Sequence, residues 1–141
     1  MNIGYLQKTS NSKLAGAVRL TLGILFLMTG TMKLAVPVLA EAWSGQLIAA
    51  ELPFYEINRW VVPFLEIALG ALLLVGAYAR PAAAMVIGMM VVATYVHIKV
   101  DDPTLFPLQP SEPIIPIVVI VLAAYVLWRG AGAWSLDQRA S

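Results

Sequence analysis

A chain of 141 residues that is 60% hydrophobic and only 12% charged, with a mean hydropathy of +0.82, lies outside the soluble globular range. A net charge of +1 without any basic run argues against a nucleic-acid partner. The absence of cysteine excludes disulfides, Fe–S clusters and thiolate zinc sites, and a single histidine excludes bis-histidine haem ligation.

In chain order, residues 1–13 are polar and read as a tail on the cytoplasmic side. Leu14–Val36 follows, long enough to cross about 30 Å of hydrocarbon, which takes about 20 helical residues. Lys8 and Lys13 ahead of Leu20–Met32, with Val38-Leu39-Ala40 downstream, look like a signal peptide and its cleavage site. The apolar run is long for such a segment, and Lys33 and Pro37 lie before the cut, so the spacing predicts a retained helix.

Val38–Arg59 is too polar to span and reads as an interfacial amphipathic helix with a turn at Pro53. Trp43 and Trp60 suit the headgroup level. Trp60–Tyr78 and Pro81–Val100 are the second and third spans, an antiparallel hairpin around Ala79-Arg80-Pro81. Asp101–Pro113 carries four prolines and reads as an extended loop. Ile114–Trp128 is the fourth span, with Pro116 tolerated in its first turns. Gly130-Ala131-Gly132 ends it, and the rest is a short polar tail. The expected fold is an all-α membrane protein, a four-helix transmembrane bundle forming one domain over residues 14–129 between tails 1–13 and 130–141.

Positive charges near span ends set the orientation. Lys8, Lys13, Arg80, Arg129 and Arg139 gather on one side; Arg59, Lys99 and nearby Lys33 sit among most of the acids on the other. Both termini are therefore expected in the cytoplasm. With that topology Lys33, Glu66 and His97, from three different spans, fall in one layer roughly 4–9 Å below the outer interface. A charge at the bilayer centre costs roughly 2.5–3.5 kcal/mol on insertion scales, so such groups are paired, hydrated or used.

Arg19, Gly23, Phe26, Gly30 and Lys33 share one helical stripe; Glu66, Gly70, Leu73 and Ala77 share another, and their small residues favour close helix approach. The functional reading is a small pocket lined by Lys33, Glu66 and His97, in which a carboxylate and an imidazole exchange protons with a quinone-type head group. The plainer reading pairs Glu66 with Lys33 and leaves His97 on a backbone carbonyl or at the interface. Arg19 is expected to stabilise the cytoplasmic half through Asp137 or a helix C-terminal carbonyl. No metal site is expected, because one His and one Glu on different helices lack an HExxH or ExxH pairing. Met85, Met89 and Met90 read as packing, and no nucleophile motif or phosphate loop is present.

In order and spacing, Arg19-Leu20, Gly23–Leu27, Gly30, Met32-Lys33-Leu34, Glu66–Gly70, Leu72–Gly76, Arg80, His97 and Gly130–Asp137 resemble the DoxX family. Arg19, Lys33, Glu66, His97, Ser135 and Asp137 fall on that family's recurring polar positions, and the likeness runs from about Leu14 to Asp137. The resemblance implies a small four-helix bundle in the bacterial inner membrane. For some relatives it also implies association with quinone-linked respiratory or sulfur-oxidising enzymes and oxidative-stress systems. An accessory subunit of such a complex is thus the expected function, with Lys33, Glu66 and His97 as ligand-binding residues and Arg19, Arg80, Ser135 and Asp137 as structural ones. No intrinsic cofactor is expected and a quinone is the candidate ligand. The expected partners are lipid, a membrane redox protein and conceivably a second copy of the chain. A non-catalytic scaffold and a small-molecule or proton carrier are the alternatives.

Overall fold

The computed structural model describes residues 3–102, 105 and 111–141. Among these residues seven helices follow one another: α1 (Ile3–Gln7), α2 (Lys13–Ala35), α3 (Pro37–Ala49), α4 (Tyr55–Val75), α5 (Ala79–Lys99), α6 (Ile114–Arg129) and α7 (Leu136–Ala140). No strand occurs among the described residues. Most of the proline-rich 101–113 loop predicted as extended lies outside them.

Local chemistry sets the boundaries. Ser12 caps α2 by accepting from the Ala15 N–H at 3.2 Å. Pro37 drives Val36 into extended backbone (φ −104°, ψ 110°), which ends α2, and then occupies the first turn of α3. Helix α4 begins five residues before the predicted Trp60, just past Pro53, and stops at Val75 because Gly76 takes a left-handed φ of +68°. The hairpin turn therefore falls at residues 76–78, earlier than Ala79–Pro81, and places Arg80 and Pro81 in the first turn of α5.

Helices α2, α4 and α5, with 23, 21 and 21 residues, are long and apolar enough to cross a membrane. Helix α6 is shorter, 16 residues or about 24 Å. Helix α2 packs most extensively on α4, and α5 on α6. Without a hydrophobic drive between helices in lipid, close backbone packing supplies the attraction. A Cβ at Gly23 would lie 2.8 Å from Leu74 N, one at Gly30 2.7 Å from Pro63 O, and one at Gly70 2.5 Å from Leu27 N. Between these pairs Leu22, Phe26, Leu73, Val86, Ala123 and Val126 form the buried core. The outward faces carry Phe64, Val75, Val91, Val118 and Val121. That apolar exterior suits acyl chains.

Pro63 inside α4 cannot donate to the carbonyl four residues back, Arg59 O. The indole Nε1 of Trp43 on α3 donates to that carbonyl instead, at 3.3 Å. The predicted interfacial segment thus docks on α4 at the position the proline leaves unbonded.

Candidate functional site

Polar groups gather at the two ends of the bundle. At the end holding both termini, Arg19 is fully buried and its guanidinium donates to five carbonyls. Nε reaches Ala131 O at 2.8 Å, Nη1 reaches Leu73 O and, at 2.7 Å, Leu74 O, and Nη2 reaches Ala133 O and Trp134 O at 3.2 and 3.1 Å. Arg19 thus holds the carbonyls that end α4 has no partners for, together with the loop after α6. Of the two partners expected for it, the carbonyls take it and Asp137 takes something else. Asp137 accepts the Tyr78 and Ala79 N–H groups at 2.8 and 2.9 Å, capping α5 from a distance of 58 residues in sequence. Ser135 caps α7 through Gln138 N at 3.2 Å and donates to Gly132 O at 2.7 Å. Arg80 donates to Lys8 O, Leu127 O and Trp128 O at 2.7–3.0 Å. Gly132 adopts φ +72° and lies against the Ala15–Gly16 backbone, where a side chain has no room. Both tails are therefore folded parts of this layer.

At the opposite end the helices part around a cavity of about 680 Å³. Lys33 Nζ pairs with Glu66 Oε1 at 2.7 Å and sits 4.4 Å from the centroid of the Trp43 ring. Glu66 is 3% exposed. Its second oxygen, Oε2, accepts no hydrogen bond among the described residues; the neighbouring Thr29 hydroxyl donates to Phe26 O at 3.3 Å. A buried carboxylate oxygen without a hydrogen bond is costly, and Glu66 lines the cavity together with Phe26, Thr29, Met89 and Val119. Gly88 and Ala93 leave that chamber open, and the methionines make its surface adaptable.

His97 lines the same cavity without joining the Lys33–Glu66 pair. Its Nδ1 meets Asp102 Oδ2 at 2.6 Å and Oδ1 at 2.8 Å, and Gln46 Nε2 of α3 donates to Asp102 Oδ1. Glu112 completes this group: one ligand atom from each of His97, Asp102 and Glu112 falls within 4.8 Å of the others. Burial, the largest cause, pushes the Glu112 carboxyl above the usual carboxylate range; His97 pulls it back and Asp102 pushes it further up. Sequence reasoning does not find Trp43, Gln46 or Glu112 as cavity groups, nor Asp102 as the partner of His97. Their spacing relative to His97 has no helical period, and they meet only because α3 and the start of α6 close over the same opening.

Neither curated proteins nor solved structures match this chain. The family model for DoxX matches residues 14–98, from the start of α2 to the end of α5, a segment that contains Arg19, Lys33, Glu66 and His97 and stops short of Asp102 and Glu112. With more than half its length so matched, and with the membrane-length helices and polar positions described above, the chain belongs to the DoxX family.

Proposed function

We propose that this DoxX protein holds the polar head of a quinone-type, membrane-soluble ligand, in its reduced form, inside the distal cavity. The observation that carries the reading is Glu66: a buried carboxylate among the residues lining a chamber of about 680 Å³, whose Oε2 accepts no hydrogen bond among the described residues. A quinol hydroxyl supplies the missing donor, and the ring fits an apolar chamber of a size usual for small-molecule sites. Lys33, 23% exposed and held between Glu66 and Trp43, favours the charged carboxylate that accepts such a hydroxyl hydrogen bond. An accessory subunit that hands this ligand to a membrane redox partner is the role that goes with such a site. The positive charge of Arg80, Arg129 and Arg139 at the terminal end supports termini in the cytoplasm of a bacterial cell and a cavity opening toward the outer leaflet.

The test is quenching of Trp fluorescence in nanodisc-embedded protein titrated with a short-chain benzoquinol, since Trp43 lines the cavity. Saturable quenching is expected in the wild type and not in Glu66→Gln, both measured at a temperature where each is fully folded. Equal quenching in both proteins refutes the reading and leaves a scaffold.

A further inference from the structure

We propose that His97, Asp102 and Glu112 form a binding site for a first-row divalent transition-metal cation at the mouth of the cavity. The three residues come from the end of α5, the segment just after it and the residue pair preceding α6. Their ligand atoms, one imidazole nitrogen and two carboxylate oxygens, lie within 4.8 Å of one another in a half-buried position. Ligands on one cation with bonds of about 2.0–2.2 Å are separated by up to about 4.4 Å, so small side-chain rotations complete the site.

Charge makes the same point independently. Two carboxylates share this position, and among the described residues neither forms an ion pair with a lysine or arginine. An imidazolium at His97 offsets one negative charge of the two; a divalent cation offsets both and leaves the imidazole neutral. Glu112 Oε2 is shut off from solvent and accepts no hydrogen bond among the described residues, so this carboxylate keeps unused acceptor capacity. The neutral tautomer with its proton on Nε2 frees Nδ1, the atom already turned toward Asp102, to bind the metal. Gln46 donates to Asp102 from α3, the outer-shell support that ligating carboxylates receive in metal sites.

The mixed donor set selects the metal. Imidazole favours Zn²⁺ or Fe²⁺ over Mg²⁺ and Ca²⁺, the two carboxylates also admit Mn²⁺, and three protein ligands leave a coordination position open. A cation here ties α5 to α6 and, through Gln46, to α3, so it closes the end of the bundle that lacks the hydrogen-bonded lattice of the terminal end.

The experiment uses the full chain, purified without a histidine tag, stripped with chelator and placed in nanodiscs. Zn²⁺ and Mn²⁺ are titrated by calorimetry and by Mn²⁺ EPR, with Mg²⁺ as the comparison, and thermal melting is followed in parallel. One equivalent of Zn²⁺ or Mn²⁺ per chain and a raised melting temperature are expected. Both effects should vanish in His97→Gln and in Glu112→Gln, whose metal-free melting stays at the wild-type value, and Gln46→Ala should weaken affinity roughly 10-fold. Wild-type protein that binds no stoichiometric Zn²⁺ or Mn²⁺ overturns the proposal. So does equal binding by a His97→Gln, Glu112→Gln double variant, or Mg²⁺ binding as tight as that of Zn²⁺. The readout does not involve Glu66 or any quinol, so this inference stands or fails separately from the ligand assigned to the cavity.

Discussion

At the terminal end, Arg19, Ser135 and Asp137 are almost wholly buried; Arg19 and Asp137 are occupied by backbone groups of other elements and Ser135 by backbone groups three residues either side of it. At the distal end, Glu66 is equally buried but keeps an oxygen unpartnered, and His97, Asp102 and Glu112 crowd together beside a cavity. Both ends carry ionisable residues that a membrane protein tolerates only at a cost. At the terminal end Arg19, Ser135 and Asp137 are used up in helix capping and loop closure. The distal end keeps buried, unpartnered carboxylate oxygens on residues that line a chamber, which is how a candidate binding site differs from a structural polar cluster.

Substitutions should separate the two ends, and the largest effect belongs to the terminal one. Arg19→Leu strips the donor from five carbonyls in a dry layer. A loss of at least about 3 kcal/mol is expected, read as failure to recover monodisperse protein or as a collapsed melting temperature in detergent. Gly70→Val forces a side chain against the Leu27 backbone, 2.5 Å from its nitrogen even at Cβ, and prises α2 from α4. It should cost about 1–3 kcal/mol or more and enlarge the distal cavity, visible as faster hydrogen exchange along α2. Asp137→Ala removes the acceptor for Tyr78 and Ala79 N–H and should cost about 1–2 kcal/mol by thermal melting.

The smallest expected effect on stability is at the distal end. Glu66→Gln deletes the pair with Lys33, but Lys33 is 23% exposed and keeps Trp43 beneath it, so melting should fall by about 1 kcal/mol or less. Its consequence should appear in ligand quenching instead. A Glu66→Gln protein that melts as far below wild type as Arg19→Leu would erase the contrast between the ends.

Much of the bundle is legible in the residues themselves. Apolar runs of membrane length, the stripe from Arg19 to Lys33 and that from Glu66 through Leu73 are periodic features, and periodicity is local. Ala77 falls off its stripe because Gly76 has already ended α4, an effect of one residue's left-handed conformation that no period registers. The Lys33–Glu66 pair follows from two stripes that face each other. The Arg19 lattice is less legible, since five backbone carbonyls carry no residue-specific mark. Gln46, Asp102 and Glu112 were not legible at all, lying outside the membrane helices with no spacing that ties them to His97.

The amino-acid order by itself determined that the chain enters a membrane, how many apolar helices it offers, and which faces carry small and charged residues. These follow from composition and from a rise of about 1.5 Å per residue. The tertiary structure alone decided which polar groups are satisfied and which remain open. Hydrogen-bond satisfaction depends on partners tens of residues away, such as Ala131 for Arg19 and Asp137 for Ala79, and on the volume left where α3 and α6 do not close the bundle.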